Sequence, residues 1–262
     1  MLAILSPAKT LDFESPNPCQ QLTQPQFLAD AQQLIELLQK LSPTKIASLM
    51  QLSDALAQLN VARFSQWQPP FSLTNARQAI LAFTGDVYVG LNAETLSAQD
   101  LVFAQQQLRI LSGLYGILRP LDLIQPYRLE MGTALENLRG KNLYAFWGQQ
   151  LTDAINHQLQ STDAVCLVNL ASHEYFSVLQ PKKIIRPIIT PVFKDEKKGV
   201  FKVISFFAKK ARGQMAAYMI RHRLTQPAAL QSFSVDGYEY RPALSSELEW
   251  VFCREAPFSN SD

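Results

Sequence analysis

The chain has 262 residues, 47% hydrophobic and 18% charged, with a formal net charge of +2, a balance ordinary for a soluble globular protein with one large core or two modest domains. No run approaches the ~20 apolar residues of a membrane helix, and the opening MLAILSPAKTLDF lacks the basic flank and long apolar centre of a signal peptide. Cys19, Cys166 and Cys253 are odd in number and far apart, which fits a reducing cytoplasm rather than a disulfide framework.

In chain order, LAILS (2–6) is a short apolar run suited to a buried strand and is ended by Pro7. In TQPQFLADAQQLIELLQKL, Leu28, Ala31, Leu34, Leu37 and Leu38 recur at helical spacing. SPTKIASLM restarts a helix with Ser42 as N-cap and Pro43 at the first helical position. Ser53 then caps a third helix, SDALAQLNVARF. No glycine occurs before Gly85, so the opening region reads as helical.

The centre reads differently. QAILAF and LRILSG have the texture of strands, separated by a helix that Ser97 starts. Residues 113–132, GLYGILRPLDLIQPYRLEMG, are too rich in glycine and proline turns to be one element. LYAFWGQQLTDAINHQL has the pattern of one amphipathic helix, followed by the apolar strand AVCLVNLA with Ser172 beyond it as an N-cap. Further strands are expected at KIIRPIITPVF, VFKVISF and LEWVFCR, with a helix at 206–223 between the last two and Ser205 as its cap. No repeat or low-complexity linker interrupts this order. The expected fold is α+β (mixed α/β), a single compact domain over residues 1–254 around a mixed β-sheet. An N-terminal helical element precedes the sheet region, and residues 255–262 form a tail.

Between Pro181 and Arg223 stand 12 Lys or Arg against two acids, Asp195 and Glu196, so this segment carries +10 and the remainder −8. Such a block attracts polyanions or forms a solvated face. Within it, SFFAKKARGQM places Lys209, Lys210 and Arg212 near a helix N-terminus, which already carries partial positive charge. Either these side chains splay into water or an anion completes the site.

Metal and nucleophile chemistry have little to build on. His157, His173 and His222 are scattered without Cys-x-x-Cys or His-x-x-x-His spacing, so no metal site and no cofactor are expected. Elbow, Walker and dinucleotide glycine patterns are missing. SPAKT (6–10) lies where a buried strand leaves the sheet, so Lys9 can face an anion there, with Ser6 and Thr10 as hydroxyl contacts. Asp86 and Tyr88 in GDVYVGL, with Arg119 and Arg128 further on, are further cleft candidates. Residues 43–64 have the form of two helices joined by a tight turn, which presents backbone N–H groups to phosphate without reading bases. This is the principle of a helix-hairpin-helix module, although such hairpins normally carry glycines where this chain has Gln51 and Leu52.

Taken together, SPAKTLDF, ARQAILAFTGDVYVGL, LRILSGLYGILRPLDLIQPYRLEMG, VNLASHEYF and SFFAKKARGQM resemble the YaaA family of bacterial peroxide stress resistance proteins, from Met1 to about Arg254. The resemblance implies a cytoplasmic protein that protects cells against hydrogen peroxide and limits free intracellular iron. It also implies DNA binding through a helix-hairpin-helix element and a basic cleft. The expected partner is DNA, duplex or structured, held independently of sequence because phosphate contacts do not read bases, and no membrane partner is expected. Carried onto this chain, the DNA-contacting residues are Lys9, Lys45, Ser53, Arg119, Arg128, Lys209, Lys210 and Arg212. An alternative reading is an enzyme for a small anionic substrate, with Lys9, Asp86, Tyr88 and Arg128 around one pocket.

Overall fold

In the computed structural model, which describes residues 1–17 and 19–255, the centre of the molecule is the strand β1 (Leu2–Leu5). All four of its residues are buried, as a continuous apolar run must be when both faces of a strand are covered. β1 pairs in parallel with β5 (Leu108–Ser112) on one side and β8 (Leu167–Leu170) on the other, so that Ala3 stands opposite Leu108 and Val168. β8 continues in parallel to β9 (Ile188–Lys197), and β9 to β12 (Glu249–Arg254). Antiparallel strands finish the sheet: β6 (Gly116–Leu118) beside β5, β10 (Val200–Lys202) beside β9 and β11 (Tyr238–Tyr240) beside β12. The result is a mixed sheet of eight strands in one domain.

The N-terminal helices follow their capping signals. α1 (Leu28–Leu38) buries Ala31, Leu34, Ile35 and Leu38. α2 (Pro43–Met50) starts at Ser42, whose hydroxyl accepts from the Lys45 amide at 3.3 Å. α3 (Asp54–Gln66) starts at Ser53, whose hydroxyl accepts from the Leu56 amide at 3.5 Å, and buries Ala57, Asn60 and Phe64.

The segment QAILAF is not a strand. It divides into β3 (Arg77–Gln78), one buried helical turn α4 (Ala79–Ala82) and β4 (Phe83–Thr84). These short strands pair outside the main sheet: β4 with β2 (Thr10–Leu11), and β3 with β7 (Leu123–Ile124). An apolar run so fully buried carries no period by which helix and strand can be told apart. α5 (Asp86–Leu91) follows, then α6 (Ala98–Gln107), which has a complete capping box between Ser97 and Asp100.

LYAFWGQQLTDAINHQL also departs from a single helix. Gly148, at φ +50°, breaks it into α7 (Leu143–Trp147) and α8 (Gln150–Ser161). α9 (His173–Phe176) is a single turn after β8. The longest helix, α10 (Ser205–Arg221), crosses α5 at two glycines. A Cβ at Gly213 would fall on the carbonyl oxygen of Val87, and one at Gly90 on that of Lys210, so the two backbones are in direct contact.

Candidate functional site at the carboxyl ends of the central strands

Because β1, β5 and β8 run in parallel, their carboxyl ends open on one side of the sheet, the usual place for ligand contacts in such sheets. Ser6, just past β1, donates its hydroxyl to Ser172 Oγ at 3.2 Å and accepts the Ser172 amide at 2.8 Å, which ties together the loops after β1 and β8. Ser172 holds the cap position of α9, but its hydroxyl makes no cap bond and is used on Ser6 instead. From α5, the buried Tyr88 hydroxyl donates to the Ser6 carbonyl at 3.1 Å.

Lys9 and Arg128 meet at one carboxylate. Glu130 Oε1 lies 3.2 Å from Lys9 Nζ and accepts from Arg128 at 3.0 Å (Nη2) and 3.1 Å (Nε). Its other oxygen, Oε2, is buried and has no hydrogen-bond partner among the described residues. Tyr127 bonds Ser112 at 2.7 Å, and Glu174 accepts the Gly132 amide at 3.0 Å. Burial raises Tyr88, Tyr127 and Tyr175 well above the ordinary phenol range, with neighbouring tyrosines adding to the shift at each. These three hydroxyls therefore stay protonated near neutrality and act as hydrogen-bond donors and acceptors, not as bases.

Of the proposed pocket residues, Lys9, Tyr88 and Arg128 thus contribute to this edge of the sheet. Asp86 opens α5, half-buried and without an ion pair among the described residues. Arg119 is committed elsewhere: it holds the buried Asp122 at 2.9 Å and donates to the Gln24 carbonyl, tying loop to loop.

The basic helix corrects the sequence expectation. Ile204, in extended conformation, holds the cap position, and Ser205 is the first helical residue with no side-chain cap bond. The first turn, Ser205–Ala208, therefore carries no charge, and Lys209, Lys210 and Arg212 lie beyond the reach of its unpaired amides. Lys210 is paired with Asp236 at 2.8 Å. Lys209 is exposed, while Arg212 is half-buried and lowered in pKa by desolvation. α10 reaches the Ser6–Tyr88 cluster through α5, at the Gly90–Gly213 contact.

At the N-terminal helices, Gln51 takes the left-handed conformation, φ +52°, that a glycine would otherwise supply. The Leu52 amide then reaches back to the Ala47 carbonyl at 2.9 Å, and Ser53 caps α3 at once. Two contacting helices are thereby joined through an exposed turn, with Lys45 exposed on the first and Asp54 in the first turn of the second. Sequence reasoning missed Arg63 and Glu130. Arg63, near the end of α3, is half-buried, lowered in pKa by burial and then by the Arg128 charge, and has no ion pair among the described residues. Glu130 was legible as the acid two residues from Arg128 within RLEMG.

The sequence matches the family described as "Peroxide stress protein YaaA" over residues 1–244. The chain belongs to this family. It is also similar to a UPF0246 protein of Cellvibrio japonicus, at 57% identity over 98% of this chain and 100% of that one. A UPF0246 protein of Shewanella oneidensis is 57% identical over the same shares of the two chains. The family name assigns a role in peroxide stress, and no helix among the described residues is long and apolar enough to cross a membrane.

Proposed function

We propose that the chain acts in the cytoplasm as a peroxide stress protein that binds DNA through backbone phosphates, independently of sequence, and helps to limit free intracellular iron. The observation that carries the DNA reading is the α2–α3 hairpin. Its exposed turn, made by left-handed Gln51 and closed by Ser53, opens α3 at the exposed Asp54 and Ala55, whose amides precede the intrahelical ladder. Such amides hold a phosphate oxygen without contacting a base edge. Lys45 flanks the turn and adds a cation, and Arg63, desolvated and without an ion pair among the described residues, adds another at the far end of α3.

The test is the salt dependence of binding to duplex DNA, followed by fluorescence anisotropy. Binding should weaken linearly in log affinity against log salt, equally for unrelated sequences. Lys45→Ala should reduce the slope by about 0.9, the loss of one phosphate contact. A flat salt response, or unchanged behaviour of the Lys45 variant, refutes the assignment of this hairpin to DNA. In cells, a deletion strain should show more chelatable iron under peroxide, measured by whole-cell electron paramagnetic resonance.

A second reading, an enzyme for a small anion, is favoured by one observation. Lys9 and Arg128 meet at Glu130 Oε1 on the ligand side of the sheet, and the Lys9 side chain stays largely exposed, with ammonium donors left for an incoming anion. An affinity for small carboxylates or phosphates that barely changes with salt would support it over the first.

A further inference from the structure

A cavity of about 500 Å³ lies beside the last turn of α3, lined by Phe13, Arg63, Gln66, Trp67, Gln68 and Arg77 among others. Its volume falls in the range of small-molecule sites. Among the described residues, no acidic side chain lines it. Arg77 is buried in its wall, donates to the Ser15 and Pro16 carbonyls, and approaches Asp12 only at 3.8 Å, while its Nε has no hydrogen-bond partner among the described residues. Arg63 has no ion pair among the described residues and stands close enough to Arg128 for the two charges to repel. Positive charge thus converges on the cavity, with no carboxylate among the described residues that line it.

The remaining lining supplies what a planar ring with polar edges needs. Trp67 is fixed, its Nε1 donating to Tyr115 Oη at 2.9 Å, so the indole cannot rotate away. Gln125 is occupied on both ends by the Gln68 backbone, at 2.9 and 3.0 Å. The side chains of Gln66 and Gln68 are exposed and make no hydrogen bond among the described residues, which leaves two amide groups at the rim able to both donate and accept. Aromatic rings, free amides and unpaired guanidinium together match a nucleotide: base face, base edge and phosphate.

We propose that this cavity binds a single nucleotide, its base beside Phe13 and Trp67 and its phosphate on Arg63. The nucleotide belongs either to an unpaired position of a DNA strand or to the free pool. The first source rests on the proposed DNA binding. The cavity and the hairpin turn lie at opposite ends of the 13-residue α3, about 20 Å apart along the helix. That distance corresponds to roughly six stacked base pairs, so one DNA molecule can reach both.

The test titrates the full chain with deoxyadenosine 5′-monophosphate, following tryptophan emission, and compares paired duplex with the same duplex carrying one bulged deoxyadenosine. Saturable quenching is expected, weakened about ten- to a hundredfold by Arg63→Ala, the loss of a charge-assisted contact. Gln68→Ala, at an exposed position, provides a second variant should the first fold poorly. Preference for the bulged duplex that Arg63→Ala abolishes identifies the strand as the source. Mononucleotide binding without that preference identifies the free nucleotide. Absence of both overturns the proposal, as does inorganic phosphate competing as well as the mononucleotide, or binding indifferent to both substitutions. Loss of paired-duplex binding with mononucleotide binding kept would instead sink the DNA reading and leave the cavity assignment standing.

Discussion

Gly213→Ala reverses the sign that helix propensity alone predicts. Gly213 lies inside α10, where replacing glycine by alanine ordinarily stabilises by about 0.5–1 kcal/mol. Here the added methyl would land on Val87 O, with Leu91 N and Val87 C both at 2.8 Å. All three are backbone atoms of α5, so no side-chain rotation relieves the overlap, and the helices must part by more than an ångström. That parting disturbs Ala208, Ala211 and Ala217, which are all buried. Overpacking of this kind typically costs 1–3 kcal/mol and here belongs at the upper end, about 3 kcal/mol net. For a chain of this size the midpoint of thermal unfolding should fall by about 6–12 °C. Because α5 carries Tyr88, the same change should loosen the Ser6 contact, seen as faster exchange of the Ser172 amide. A melting midpoint that stays level or rises would refute the crossing described here.

Three further changes test other parts of the structure. Tyr88→Phe should cost about 1–3 kcal/mol, measured by urea unfolding, because it leaves the Ser6 carbonyl without its buried donor. All three thiols are free and buried, and burial raises Cys166 to about 11 and also raises Cys253. The native chain should therefore react slowly with a disulfide reagent at pH 8, and prompt modification of Cys166 without unfolding would refute this. Asp12 is lowered to about 2 by the Ser15 hydroxyl and then by the Ser15 and Glu14 amides, so its stabilisation is complete above the ordinary carboxylate pKa and is lost as pH falls through about 2. The advantage of wild type over Asp12→Asn in urea midpoint should shrink as pH drops below about 4, and a constant gap would exclude that linkage.

What was legible in the sequence was local. Ser42, Ser53 and Ser97 announce their helices because a cap bond spans only three residues. β1, β5, β8 and β12 stand out as apolar runs. Ser205 misled because a cap requires an extended backbone as well as a hydroxyl, and Ile204 takes that conformation. Lys9 and Arg128 were legible as cations, but not their common acceptor. Glu130 lies 121 positions from Lys9, so their meeting is a property of the tertiary fold. Arg63 reads in sequence as the closing basic residue of an amphipathic helix, since its lack of a partner is a property of the tertiary fold.

The charge asymmetry of the sequence changes meaning in three dimensions. Within the basic block, Arg186 pairs with Asp163, Lys210 with Asp236 and Arg223 with Asp100, all acids drawn from outside it. Part of the +10 is thus spread through exposed pairs, each worth under about 1 kcal/mol. A run of like charge along the chain is therefore not one patch on the surface. Arg109 is the most strongly desolvated arginine, lowered to about 10, but it donates to the Gln105 and Leu108 carbonyls. Arg63 and Arg212 are desolvated with neither an ion pair nor a side-chain hydrogen bond among the described residues. Arg212 belongs to the block, whereas Arg63 lies more than a hundred residues before it, on the helix of the hairpin and beside the cavity. Desolvation without a partner, rather than density of charge, marks where an anion gains most by binding, because there it replaces lost water instead of an existing carboxylate.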